Sequence, residues 1–453
     1  MNLGELARAA RGRLLQGDAG WPIGRACVDS RLVRAGDLFV AMRGERTDGH
    51  LYVAAAVAQG AAAVLVEAPC AVPQGVGLVL VDDARRALLR AARAIAGDYR
   101  GVVCAVTGSV GKTTTKELWA AALGPLGPVF RNPGNLNSDV GMPLAIFGLQ
   151  QEHRAAVFEL GMRGRGEIAR LAGIVRPRVG IVTRIGIAHL EVLGSVEAIA
   201  RAKAELLAAL PQDGTAVLNA DDPWTPFLSL SAPPRVLLAG RDPAADLRIV
   251  DARSLGTEGS LVRLRFAGQE APCRVRLPGD GAVADAALAV GGAVAAGVAF
   301  TDAAAAVEAA TPEHGRLRTL HVRGVTVIDD TYNASPQSVE VALRLLGEVA
   351  CPGRRIAVLG DMRELGGGER EGHVQMGREA AGCADLVLAV GEFAEVVAQA
   401  ARAAGTSAAA CQDASGAARW LRREVRDGDV VLLKASRAVG LERALAEWLG
   451  VEP

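Results

Sequence analysis

The sequence predicts an α/β protein of several segments built around one phosphate-binding turn. Three observations carry this. Val102-Val103-Cys104-Ala105-Val106 is a β-branched, apolar run that turns on Gly108 and Gly111 and enters a helical stretch reaching about residue 123. Along much of the remaining chain, short apolar runs ending in polar residues alternate with helical patterns, as in parallel sheets covered by helices. The 453 residues, half of them hydrophobic, suffice for about two to four domains with their own cores.

The central turn, Thr107-Gly108-Ser109-Val110-Gly111-Lys112-Thr113, is the short form Thr-Gly-x-x-Gly-Lys-Thr of a phosphate cradle; the longer form has glycine where this chain has Val106. Backbone N–H groups and the helix dipole face the anion, the Lys112 ammonium reaches the outer phosphates, and a threonine hydroxyl can ligate Mg²⁺. The plainer reading is a βα turn with a capping lysine. The strand before it and the helix after it favour the cradle.

Composition excludes several classes. The 50 basic and 50 acidic side chains cancel, which leaves no electrostatic footprint for nucleic acid or an anionic membrane. The charge-poor stretch 286–301 is short and built of Ala, Gly and Val, so no membrane helix is expected. Met1-Asn2-Leu3-Gly4-Glu5 lacks a basic region followed by an apolar one, so no secretory signal is expected. The seven cysteines are scattered, with no Cys-x-x-Cys pair. That suits reduced, buried thiols in a cytoplasmic protein.

The first segment, 1–97, reads as a small α/β unit. Strands are expected at 36–42, 62–66 and 77–81, with helices at 51–59 and from 84 to about 95. Asp29-Ser30-Arg31 and Arg43-Gly44-Glu45-Arg46-Thr47-Asp48-Gly49-His50 are polar clusters between them. Residues 97–100 read as a linker. In the second segment, 98–312, strands are expected at 155–161, 178–183, 215–219 and 235–239. Glu159 falls inside the apolar run 155–161, and a buried carboxylate calls for a cation or metal. His189 follows a strand end, the edge where open α/β sheets bind ligands. Thr113, Glu159 and His189 on one sheet edge suggest a Mg²⁺ site beside the cradle. Residues 131–143 form a dense polar loop that caps or binds something. Lys203 sits in a helical pattern where the plain reading is a solvated lysine. The segment closes near Leu277-Pro278-Gly279-Asp280 and an alanine-rich helix. In the third segment, 313–453, strands at 325–330, 355–361, 384–391 and 429–434 with intervening helices predict a second doubly wound unit without a P-loop. Asp330, Lys434 and Arg437 would lie at its strand ends.

Taken together, these motifs resemble the Mur ligases of peptidoglycan synthesis over nearly the whole chain. The carriers are Asp29-Ser30-Arg31, Gly44-Glu45-Arg46-Thr47-Asp48-Gly49-His50, the P-loop, Asn132-Pro133-Gly134-Asn135-Leu136-Asn137, Glu159-Leu160-Gly161-Met162 and Ala188-His189-Leu190-Glu191. Asp329-Asp330-Thr331-Tyr332-Asn333-Ala334-Ser335-Pro336, Gly360-Asp361-Met362-Arg363-Glu364-Leu365 and Lys434-Ala435-Ser436-Arg437 complete them. The third-segment strings are the most specific, and point to the branch that adds D-alanyl-D-alanine.

The resemblance implies three domains: a UDP-sugar-binding domain at 1–97, a central P-loop ATPase domain at 98–312 and a C-terminal Rossmann-like domain at 313–453. It implies a cytoplasmic, monomeric enzyme that joins D-alanyl-D-alanine to UDP-N-acetylmuramoyl-tripeptide with ATP and Mg²⁺, through an acyl phosphate. Carried over residue by residue, Thr107, Gly108, Ser109, Val110, Gly111, Lys112, Thr113 and Thr114 should cradle the nucleotide. Thr113, Glu159, His189 and a carbamylated Lys203 should hold Mg²⁺. Arg316 should reach the γ-phosphate, and Asp330 the ribose with Tyr332 and Asn333 near it. Asn135 and Asn137 should line the muramoyl substrate, with Ser30, Arg31, Arg46 and Thr47 at its UDP end or peptide. Lys434 and Arg437 should face the dipeptide or the tripeptide carboxylate. The catalytic set is then Lys112, His189, Lys203 and Arg316.

Three departures stand out. The family's Leu-Pro-Gly-x-His-Asn is here Leu277-Pro278-Gly279-Asp280-Gly281-Ala282, so that adenine contact is missing or supplied elsewhere. Arg184 stands where the family's Asn-Ile-Gly begins, and Ala435 replaces a glycine. A sister ligase adding the third peptide residue, a folylpolyglutamate synthase-like enzyme and a catalytically silent nucleotide-binding protein remain as alternatives.

Overall fold

The computed structural model describes residues 1–44, 47–233, 235–363 and 365–450. Three sheets follow one another along the chain. The first has strand order Arg13–Gln16, Gly77–Leu80, Ala63–Val66, Leu38–Val40, Ala26–Cys27, parallel except at Arg13–Gln16. The sequence reading assigned neither that edge strand nor the helix Leu3–Ala10 before it. The signal was present: Asn2 and Glu5 form a reciprocal cap, and Leu3, Leu6 and Ala10 are buried on one face. The following helix, Ala84–Asp98, is started by the Asp83 side chain and outruns its expected end. It absorbs half of the expected linker, and the buried Tyr99 closes the remainder by donating to His153 O at 3.1 Å.

The second sheet carries the P-loop strand third from one edge. Its order is Gln269–Val275, Ser260–Phe266, Leu247–Ser254, Arg235–Gly240, Thr215–Asn219, Val179–Val182, Val102–Thr107, Ala155–Glu159, Val129–Arg131. The three strands 247–275 form an antiparallel meander that the reading missed. Charged residues alternate with apolar ones there, so Val262 and Leu264 face the core while Arg263 and Arg265 face water. The polar loop is shorter than expected, because 141–146 is the buried helix Gly141–Ile146.

The third sheet has order Arg318–Val322, Val325–Asp330, Val430–Lys434, Arg355–Gly360, Leu386–Val390, Ser407–Cys411. Its two edge strands escaped the reading. Arg318–Val322 is the antiparallel arm of a hairpin, and Ser407–Cys411 is a half-exposed run of alanines with little strand propensity. Only Cys104 and Cys273 are buried; the other five cysteines are half-exposed, so the expectation of buried thiols holds for two of seven.

Register sets the chemistry. Val106 pairs with Glu159 and Thr107 with Val182, which brings Glu159 to the same edge as the P-loop. In the third sheet Asp330 pairs with Lys434. Behind the P-loop, the helix Lys112–Ala122 packs on the helix Asp280–Ala295. Trp119 is fully buried there, and a Cβ on Gly292 would lie 2.5 Å from its ring. Gly292→Val should therefore destabilise the chain by about 1–3 kcal/mol through overpacking, read as a lower urea midpoint; an unchanged midpoint would show that this seam relaxes.

Candidate functional site

A cavity of about 760 Å³ opens where the C-terminal edges of the second and third sheets face each other. Ser109, Val110, Gly111, Lys112, Thr113 and Thr114 form one wall. The turn demands glycine twice. A Cβ on Gly108 would lie 1.8 Å from Thr183 Oγ1, and Gly111 sits at φ +87° with Asp285 Oδ1 2.5 Å from where its Cβ would be. The turn is clamped from below: Thr183 Oγ1 donates to Val110 O at 2.6 Å, and Gly186 N donates to Ser109 Oγ at 2.9 Å. Thr107 lies beneath the cradle, its hydroxyl donating to Leu160 O at 2.9 Å.

Cations crowd this turn. Lys112 Nζ donates to Gly108 O at 2.9 Å, and Lys203 Nζ donates to the same carbonyl at 2.8 Å. Lys203 is buried at 1% exposure on the helix Val196–Ala208, which overturns the solvated reading. Burial, then the neighbouring Lys112 charge, holds its ammonium well below the usual lysine range. Lys112 is lowered by removal from water and by Arg316, against the pull of Glu159. Arg316 crosses from the third segment. Its Cζ stacks 3.9 Å from the Tyr332 ring, and Nη2 donates to Thr113 Oγ1 at 3.3 Å, while its buried Nε has no hydrogen-bond partner.

Glu159 is buried at 2%. Its carboxylate accepts from Thr113 Oγ1 at 2.8 Å and Asn137 Nδ2 at 2.7 Å, and its charge acts on the neighbouring Lys112 ammonium. His189 faces the cavity from the N-cap of a short helix, at φ +66°, a left-handed conformation uncommon outside glycine. Among the described residues, no three His, Cys, Asp or Glu side chains gather as a metal cluster. One carboxylate, one hydroxyl and one imidazole around a phosphate cradle do fit Mg²⁺, which takes few protein ligands and completes its shell with phosphate oxygens and water.

On the opposite wall, Asp330 and Lys434 form a buried ion pair, and Lys434 Nζ also donates to Asn333 O at 3.0 Å. Burial lowers the Lys434 ammonium despite that carboxylate. Both residues line the cavity, each as the other's partner. Arg437 lies outside the lining, its Cζ 5.4 Å from the Tyr332 ring. Asn135 and Asn137 line the cavity with Gly281 and Ala282.

The first-segment candidates stand away from it. Arg31 is exposed and bidentate to Asp29, the Thr47 hydroxyl meets Tyr52, and Ser30 is buried. Arg46 lies outside the described residues.

Sequence reasoning missed three charged residues here, Arg85, Lys116 and Asp285. Arg85 Nη1 meets Asp139 at 3.0 Å, tying the first segment to the 132–140 loop at the cavity rim. Lys116 is fully buried and meets Glu313 at 2.8 Å. Asp285 lines the cavity inside an alanine-rich helix, the same signal of a carboxylate in an apolar run that singled out Glu159.

Burial pushes the Asp285 carboxyl from 3.8 up to about 8. Its folded-state value is the raised one, so the folded chain keeps a proton that the unfolded chain releases above about pH 4. Stability from this group is full at low pH and lost as pH rises toward 8. Asp285→Asn should gain stability over the unaltered chain as pH goes from 5 to 8 and hold that gain above it. Urea midpoints at pH 5, 7 and 9 check this, and a constant difference would contradict it.

Comparison with known proteins places this geometry. Three family models match in succession: "Mur ligase family, catalytic domain" over residues 24–96, "Mur ligase middle domain" over 106–293 and "Mur ligase, glutamate ligase domain" over 315–437. The UDP-N-acetylmuramoyl-tripeptide–D-alanyl-D-alanine ligase of Mycobacterium tuberculosis is 37% identical over 91% of this chain and 89% of its own. A crystal structure of MurF from Acinetobacter baumannii superposes with a TM-score of 0.87 at 32% identity, covering 99% of this chain and 98% of that one. MurF from Thermotoga maritima, solved in complex with ADP, gives 0.77 at 30% identity over 94% and 97%.

Proposed function

This chain belongs to the Mur ligase family, and on that premise we propose that it joins D-alanyl-D-alanine to UDP-N-acetylmuramoyl-tripeptide at the expense of ATP. The observation that carries the reading is the match at 37% identity over 91% of the chain to a ligase named for that reaction. The relative holding ADP supports ATP as the nucleotide.

A carboxylate is a poor electrophile, so amide formation needs an activated acyl group. The terminal carboxylate of the tripeptide attacks the γ-phosphorus, and the bond to ADP breaks. The D-alanyl-D-alanine amine then attacks the acyl carbon, phosphate leaves, and the amine proton is released. Transfer between anions needs cations on each oxygen that gains charge. Lys112 serves the β- and γ-phosphates, and Arg316, held flat on Tyr332, serves the γ-phosphate from the other side. The backbone N–H groups of 108–113 hold the remaining oxygens. Asp330, whose carboxylate is fixed by Lys434, would contact the ribose, and Asn135 and Asn137 would orient the muramoyl substrate.

Thr113, Glu159 and His189 would hold Mg²⁺, with Thr114 as a second hydroxyl. Bound there, the metal would neutralise phosphate oxygens that gain charge during transfer. Lys203 is the awkward member, because an ammonium repels a cation. Addition of CO₂ to its uncharged amine, with loss of one proton, makes an anionic carbamate, and burial already disfavours the ammonium there. Among the described residues, no helix is long and apolar enough to cross a membrane. A monomer in the cytoplasm, where ATP and UDP-sugars are found, is the working form.

Phosphate release should require ATP, the UDP-tripeptide and D-alanyl-D-alanine together, and the product should be heavier by one dipeptide. Lys112→Met should lower kcat by about 10²–10³-fold. Equal turnover with glutamate or a diamino acid as the amine would overturn the reading.

A further inference from the structure

Lys116 has no assigned part in the chemistry above, yet it is the most heavily engaged ammonium of the P-loop helix. Its side chain has no exposure to water. It lies one turn beyond Lys112 and three residues beyond Thr113. Its Nζ donates to Asn132 O at 3.1 Å, reaches Gly134 O at 3.5 Å and meets Glu313 Oε1 at 2.8 Å. One buried charge therefore joins three segments: the P-loop helix, the loop carrying Asn135 and Asn137, and the chain entering the third sheet.

Glu313 opens the tight turn that presents Arg316. Arg316 N donates to Glu313 O at 3.2 Å, and Tyr332 N donates to Gly315 O at 3.1 Å. Gly315 sits at φ +70°, and a Cβ there would lie 2.9 Å from Tyr332 N. Gly315 N donates to Asp329 Oδ2 at 3.1 Å, which anchors the turn to the third sheet. The Glu313 carboxylate anchors it to the P-loop helix. Arg316 reaches Thr113 from the turn that these two anchors hold.

We propose that the Lys116–Glu313 ion pair is a latch that positions Arg316 over the nucleotide phosphates. It acts through Arg316 and the turn, and touches no substrate. The proposal rests on the cavity taking ATP. Because Lys116 also holds the 132–134 carbonyls, the same latch ties the placement of Arg316 to the loop on the muramoyl side. The pair is suited to this: the Lys116 ammonium is fully buried and held in place by Glu117 at 3.3 Å as well, so it offers Glu313 a fixed anchor.

A double-mutant cycle between Glu313→Ala and Arg316→Ala tests it, read first in the Kd for a nonhydrolysable ATP analogue. Glu313 is partly exposed, so its truncation leaves the core intact, and thermal unfolding of each variant checks this. Each single change should weaken the analogue by about tenfold, within the usual range of coupling. The double variant should bind within about twofold of Arg316→Ala alone. Glu313→Gln, which keeps an acceptor, should recover part of the loss. Losses that multiply in the double variant, or no loss from Glu313→Ala, would overturn the latch. Amide formation by the unaltered chain is scored separately; its failure would sink the ligase reading and leave the binding cycle readable.

Discussion

The carbonyl of Gly108 accepts from two lysine ammonium groups at once, one from its own loop and one from a helix almost a hundred residues on. Most of the site follows from that crowding. Two ammonium groups on one neutral oxygen, with Arg316 close by, make a positive cup that Glu159 faces. Such a cup is unfavourable for the protein by itself and favourable for a polyanion. Burial sharpens it, since the ammonium groups have little water to screen them. The same burial, with the Lys112 charge beside it, holds the Lys203 ammonium well below the usual lysine range.

The second constraint is that no single sheet completes the cup. The second sheet supplies the cradle, Glu159 and His189; the third supplies Arg316, Tyr332 and the Asp330–Lys434 pair. Lys116 with Glu313 and Thr113 with Arg316 are among the polar contacts where the two halves meet. Asp330 illustrates the division of labour. Lys434, one strand away in register, fixes its carboxylate at the cavity wall.

Much of this was legible in the sequence. The P-loop, the strands that end in Glu159 and Asp330, and the doubly wound third unit all announce themselves as apolar runs broken by one polar residue. Two kinds of feature were not legible. Edge strands such as Arg318–Val322 and Ser407–Cys411, and the 247–275 meander, lack the buried apolar run that marks a central strand, because one face or one edge meets water. Charged residues satisfied by distant partners were equally hidden. Lys116 and Arg85 look like surface charges until the fold brings Glu313 and Asp139 to them. Ser30, Arg31 and Thr47 show the converse, since their motif is clear but the described cavity lies elsewhere.

The central claim is that the cup activates a carboxylate by phosphorylation before the amine arrives. Tripeptide labelled with ¹⁸O in its terminal carboxylate tests this most directly. The account predicts that one labelled oxygen appears in the inorganic phosphate released during amide formation. Label lost to water, or phosphate free of label while amide forms, would contradict it.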